Sequence, residues 1–211
     1  MKTNKKNQLL AILGGKSVMA KPTAPYSSLG KKETKAAIAV LQAGTISGFI
    51  GRAGPFFLGG KYVKRFEDEL KRRFKIKYAV SFNSATTALQ GALGAIGIGP
   101  GDEVITTPFT MSATASAIVM QNAVPVFADI EKDTFCIDPV SVEKKITPKT
   151  KAILAVNLFG RAAKLSALKK IAKKHGLYLV ADPGGCGSGG HALEKLDADR
   201  GGQGPDECAD L

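Results

Sequence analysis

Five short apolar runs recur through the middle of the chain: YAVSF (78–82), EVITT (103–107), VPVFAD (124–129), KAILAV (151–156) and LYLVAD (177–182). The stretches between them, at about 85–96, 112–122, 139–145 and 164–174, have helical spacing instead. LSALKKIAKKHG is the clearest of these: apolar positions at helical intervals, a basic last turn and a terminal glycine. Strands that alternate with helices predict an α/β fold, a mostly parallel sheet with helices on both faces. Right-handed crossovers are then the default. In such a sheet, ligands sit at the carboxyl ends of the strands.

The flanks read differently. Residues 1–29 form an arm containing Pro22 and Pro25, and 31–43 have helical spacing that stops at Gly44. Residues 44–60 are a glycine-rich, partly aromatic loop, and a charged amphipathic helix follows at 61–74. Beyond Asp182 the alternation ends. Residues 183–211 have no strand pattern, at most a short helix near 191–198, and the composition of a loop or tail. The expected domain organisation is therefore an arm (1–29), a partial domain (30–182) and a divergent Gly/Asp-rich tail (183–211).

Composition narrows the class. Hydrophobic residues make up 44% of the 211 and Trp is absent, so Leu, Ile, Val and Ala must fill the core. The net charge is +12, yet residues 183–211 hold two basic and six acidic residues, so the excess lies upstream. Such an excess attracts nucleic acid, anionic lipid or phosphorylated small molecules. Here the lysines fall in helical patterns, as solvated faces do, and no RNA-binding signature accompanies them. Cys136, Cys186 and Cys208 fit neither a disulfide framework nor zinc spacing. His175 belongs at a helix C-terminus, where a cation is favoured. The N-terminal apolar run is too short for a signal peptide, and no run is long enough for a membrane span. A cytoplasmic protein without nucleic-acid or membrane partners is expected.

Three strand ends offer chemistry. In SFNSATTALQGAL (81–93) a polar turn opens a helix, whose N-terminal N–H groups and Ser84, Thr86 and Thr87 hydroxyls suit a phosphate. An ordinary N-cap reads equally well. In TTPFTMSATASA (106–117), Pro108 ends a strand, and Phe109 and Met111 lie above the sheet. Asp182 ends the last apolar strand, and a buried carboxylate there needs a cationic partner. Separately, each has a bland reading. Together, a phosphate-binding helix start and a carboxylate for a protonated ring nitrogen are what pyridoxal phosphate needs.

Residues from about 25 to 182 resemble the DegT/DnrJ/StrS family of pyridoxal-phosphate-dependent sugar aminotransferases. The resemblance rests on KYAVSFNSATTALQGALGAIGIGPGDEVITTPFTMSATASAI, PVFADIEKDTFCIDP, ITPKTKAILAVNLFGRAA and IAKKHGLYLVAD. It implies the large domain of fold type I, incomplete at the C-terminus. It places Thr86 and Thr87 at the phosphate-binding turn and Asp182 opposite the pyridine nitrogen. Met111 takes the position where the family usually stacks an aromatic ring, and Asn157 lies near the pocket. The implied reaction moves an amino group from glutamate or glutamine to a ketone on a nucleotide-linked sugar or cyclitol. Family members are usually homodimers.

The resemblance breaks after Asp182. Pro183, Gly184 and Gly185 stand where the family carries a glutamine segment. Lys195, the only later lysine, is too near Asp182 to be the Schiff-base lysine, so no catalytic residue is assigned. A frame change or truncation near residue 183 is expected, leaving a chain that is inactive and poorly stable alone. The alternatives are a sugar dehydratase of the same family and a non-catalytic interaction or regulatory protein.

Overall fold

The computed structural model describes residues 10–17, 19, 21, 29–46, 48–49, 51–54, 57–184 and the backbone of 192–195. Pro22, Pro25, Cys186 and Cys208 lie outside the described residues, as does the tail apart from Pro183, Gly184 and 192–195. The chain divides into two compact units, Met1–Asp68 and Glu69–Leu211.

In the first unit a single 3-10 turn, Ala11–Leu13, precedes helix α1, Lys31–Gln42. The start of α1 is held by Glu33, whose Oε2 accepts the Gly30 N–H at 2.8 Å. Its own backbone N–H first, and the Gly30 N–H after it, hold the Glu33 carboxyl below the usual range. The helix stops at Gly44, which takes a left-handed φ of 71°. In the loop that follows, Gly48 touches Gly60: a Cβ on Gly48 would lie 2.6 Å from the Gly60 backbone. Two glycines therefore pinch the loop shut at its base. Helix α2, Lys61–Phe74, runs across the division between the units.

The second unit is the α/β domain. Its further helices are α3 (Ala85–Ala95), α4 (Ser112–Val119), α5 (Pro139–Lys144) and α6 (Leu165–His175). Its strands are β1 (Glu103–Thr106), β2 (Val124–Phe127), β3 (Thr150–Val156), β4 (Tyr178–Asp182) and β5 (Ala192–Lys195). The sheet order is β2-β1-β3-β4-β5. The first four strands are parallel, and β5 pairs antiparallel with β4.

Period-two alternation sorts the strand residues between two cores. Ile105, Ile153, Ala155 and Leu179 pack with Val142 of α5 and Leu168 and Ala172 of α6. Val104, Ala152, Leu154 and Val180 pack with Leu89 and Leu93 of α3 and Ala117 and Ile118 of α4. Helices thus cover both faces, as the sequence predicts. His175 closes α6 in a basic last turn, and Gly176 caps it at φ 66°.

Two expectations are corrected. The run YAVSF is not a strand: Tyr78, Val80 and Phe82 are exposed, and 78–82 belongs to no ladder among the described residues. Its alternation is real, but a strand exists only through a neighbour's hydrogen bonds. Conversely, 192–195 is neither helix nor loop but the strand β5, with Ala181 opposite Ala192 and Tyr178 opposite Lys195. The edge of β4 away from β3 is therefore paired. At the other end β2 is the edge. Val124 N–H and Ala128 N–H donate to Asp102 and Thr106 carbonyls, so the nitrogen of Pro125, one residue out of phase, faces outward.

Candidate active site

The site is assembled at the carboxyl end of the four parallel strands. Helix α3 leads through a short turn into β1 and packs Leu89 and Leu93 against Val104. It therefore runs antiparallel to β1, and its N-terminus lies at the carboxyl end of the sheet. Ser84 caps it: Ser84 Oγ accepts the Thr87 N–H at 3.2 Å. The Thr87 hydroxyl lies 2.7 Å from Asn83 Oδ1 and 2.9 Å from the Ser84 carbonyl. Thr87 is thus spent on the cap. The N–H groups of Ala85 and Thr86 find no acceptor among the described residues, as expected for the first turn of a helix. They and the half-buried Thr86 hydroxyl are the polar groups of this turn not used by the cap among the described residues.

Two buried threonines stand at the end of β1, Thr106 as its last residue and Thr107 just after it. Thr106 Oγ1 donates to the Leu154 carbonyl at 3.0 Å, and Thr107 Oγ1 accepts the Phe109 N–H at 3.1 Å. Together they hold the start of the loop that carries Met111 to the N-cap of α4, where it is 76% exposed. That exposure leaves its thioether available to cover a ring.

Asn157 and Asp182 stand side by side at the ends of β3 and β4. The Asn157 N–H donates to the Asp182 carbonyl at 2.9 Å, one residue beyond the Val156–Asp182 register. Asn157 is 3% exposed, and its Oδ1 accepts the Ala163 N–H at 2.9 Å. It therefore anchors the turn that follows β3 as well as the end of β4. The Asp182 side chain is half-buried, and its Oδ1 accepts the Gly184 N–H at 2.9 Å.

Sequence reasoning missed a third feature of this end. Phe109, Phe135 and Phe159 form a triangle with ring centroids 5.8, 6.3 and 6.3 Å apart. Phe159 and Gly160 sit at φ 51° and 76° in a two-residue turn closed by mutual Leu158 and Arg161 backbone bonds. Asn-Gly is the usual pair there, so the left-handed phenylalanine gave no sequence signal. Phe135 is also left-handed, at φ 60°. Its turn is tied down by Glu131, whose carboxylate meets Lys164 at 2.6 Å. That bond holds the Lys164 ammonium above its ordinary value.

The donor set fits pyridoxal phosphate: unsatisfied N–H groups with a hydroxyl for the phosphate, and a strand-end carboxylate for the ring nitrogen. No group of His, Cys, Asp and Glu among the described residues could hold a metal. Residues 32–191 match the sequence profile of the DegT/DnrJ/EryC1/StrS aminotransferase family. The chain belongs to this family. Its match runs nine residues past Asp182, further than the resemblance read from the sequence.

Among DegT-family proteins, the chain is 42% identical over 160 residues to the spore coat polysaccharide biosynthesis protein SpsC of Bacillus subtilis. That alignment covers 75% of this chain and 38% of SpsC. It is 38% identical over 175 residues to a putative L-glutamine:3-amino-2,3-dideoxy-scyllo-inosose aminotransferase of Micromonospora echinospora, covering 83% and 40%. The structure of NtdA from Bacillus subtilis with bound cofactor PMP superposes with a TM-score of 0.62 and 34% identity, over 71% of this chain and 32% of that one. The chain thus spans about two fifths of the length of the curated relatives it matches. The DegT-family neighbours bear out the type I fold and the pyridoxal or pyridoxamine phosphate cofactor. No helix among the described residues is long and apolar enough to cross a membrane.

Proposed function

We propose that this chain is the cofactor-binding part of an aminotransferase. Its substrates are an amino-acid donor, glutamate or glutamine, and a ketone on a nucleotide-linked sugar or cyclitol. The observation that carries the reading is that the open N-terminus of α3 and the Asp182 carboxylate lie at the same end of one parallel sheet. Relatives named for glutamine, scyllo-inosose and a UDP-linked keto sugar support the substrate class.

When bound, pyridoxal phosphate supplies an electron sink for the carbon that loses a proton. The chain's residues act around it. The Ala85 and Thr86 N–H groups and the Thr86 hydroxyl bind the phosphate, with Thr87 shaping the turn through its bonds to Asn83 and Ser84. Asp182 holds the proton on the ring nitrogen; a charge-assisted bond of that kind is worth roughly 1.5–3 kcal/mol. Met111 would cover the cofactor's ring, more loosely than an aromatic residue would. Asn157 ties the ends of β3 and β4 together. A full turnover also needs a lysine that attacks the cofactor, and Lys195 is not assigned that role. The 211 residues alone are therefore expected not to transaminate.

The test is a fluorescence titration of the purified chain with pyridoxamine phosphate, which needs no covalent lysine. Saturable binding that weakens about tenfold or more in Asp182→Ala is expected. Absence of binding by the unaltered chain overturns the reading. Turnover of a keto sugar by that chain overturns the expected inactivity.

A further inference from the structure

The turn after β4 is built around Gly184 in a way that bears on the acid beside it. The Gly184 N–H donates to Asp182 Oδ1 at 2.9 Å, closing a turn through Pro183. Gly184 has a left-handed φ of 56°. A Cβ on it would lie 1.9 Å from the Asn157 carbonyl oxygen and 3.1 Å from its carbon. No side chain fits at that distance, and the obstacle is backbone.

That obstacle cannot easily move. Asn157 donates its N–H to the Asp182 carbonyl and accepts the Ala163 N–H on its buried side-chain oxygen. Asn157, Asp182 and Gly184 are therefore linked to one another. Asn157 holds the Asp182 backbone, Gly184 lies against Asn157, and the Gly184 N–H holds the Asp182 side chain. A carboxylate at a strand end otherwise rotates freely about two torsions. Here Oδ1 is fixed to the main chain, so the direction the acid presents is set by the turn.

We propose that Gly184 is a positioning residue: its N–H orients the Asp182 carboxylate toward the cofactor's ring nitrogen, and glycine is required because any side chain would strike Asn157. The purpose assigned to the orientation rests on the cofactor reading above. The orientation itself does not. A preset acid gains its value from geometry, since a misdirected partner loses most of a charge-assisted hydrogen bond.

The experiment replaces the Gly184 amide by an ester, using glycolic acid in semisynthesis, which removes the N–H and adds no bulk. Gly184→Ala is made in parallel. Two quantities are read: pyridoxamine phosphate affinity, and the 15N shift of the labelled ring nitrogen, which reports its protonation. The ester is expected to bind about fivefold more weakly, with the nitrogen shifted toward its unprotonated value and the thermal midpoint little changed. Gly184→Ala is expected to show the same shift and a larger loss. An ester that matches the unaltered chain in both affinity and shift overturns the proposal. Hydrogen exchange of the Gly184 amide separates the two readings. Protection that disappears in Asp182→Ala supports the positioning bond even if pyridoxamine phosphate fails to bind, which sinks the cofactor reading alone. An unprotected amide in the unaltered chain overturns the positioning bond itself.

Discussion

The Asn157 N–H donates to the Asp182 carbonyl at 2.9 Å, which ties the ends of two neighbouring strands together where the candidate site begins. The side chain of Asn157 does separate work. Removing it leaves the Ala163 N–H, in a residue only 5% exposed, without the acceptor it has now. Asn157→Ala is expected to destabilise the chain by about 1–3 kcal/mol in urea unfolding. Asn157→Asp keeps an acceptor oxygen and should recover part of that loss. Equal stability of the alanine variant would show that the turn after β3 does not depend on this bond.

The cap of α3 and the anion binding proposed for its first turn fall on different residues, so they can be separated. Ser84→Ala removes the acceptor of the Thr87 N–H and is expected to cost about 0.5–2 kcal/mol of stability. Thr86→Val removes a hydroxyl that caps nothing. It should leave the unfolding midpoint nearly unchanged and weaken pyridoxamine phosphate binding about fivefold. The pair of measurements, midpoint and affinity, would then move in opposite variants.

The two cores lie on opposite faces of one sheet. Leu93 and Leu168 are both fully buried, the first against Val104 and its cluster, the second against Ile153 and its cluster. Each Leu→Ala change is expected to cost about 2–5 kcal/mol. Where the double variant still folds, the costs should add to within about 0.5 kcal/mol, because the sites share no partner. Strong coupling would mean that the sheet transmits strain from one face to the other.

Acid sensitivity has a local source between α5 and α6. Glu143 Oε1 meets Lys174 Nζ at 2.6 Å and lies 3.8 Å from His175 Nε2. Lys174 first, and His175 after it, hold the Glu143 carboxyl below its usual range. A carboxyl lowered on folding contributes stability above its unfolded pKa of about 4.3 and loses it as pH falls through the lowered folded value. Glu143→Gln should therefore lower the thermal midpoint near neutral pH. The gap should close in acid, at pH values below the lowered folded pKa, once the wild-type carboxyl is protonated too. A constant gap across that range would assign the effect to packing. The pair is exposed, so the change is expected to be small.

Local pattern was sufficient where each element carries its own boundary. Gly176 ends α6 and Gly44 ends α1, and the continuous apolar run of 152–156 marked a strand buried on both faces. It was insufficient where a partner decides. Tyr78, Val80 and Phe82 alternate as a strand does, yet nothing described pairs with them. Ala192–Lys195 has poor strand composition and becomes a strand because β4 offers an unpaired edge. At the site, Asp182 was legible as a strand-end acid, and Asn157 only through the family resemblance. Gly184 was not, because its role depends on the Asn157 carbonyl, which lies 27 positions earlier in the chain. The Thr87 hydroxyl was expected on a phosphate and is spent on Asn83, a competition that residue spacing alone does not reveal.

Pro125 gives the sheet a direction. Its ring nitrogen points away from β1 at the outer edge of β2, where another strand would need a donor. A partner adding itself there meets a missing hydrogen bond in the middle of a four-residue strand. Fibril-like growth by strand stacking needs two usable ends, and this edge is poorly suited to be one of them. Concentrating the protein should therefore not lengthen the sheet through β2.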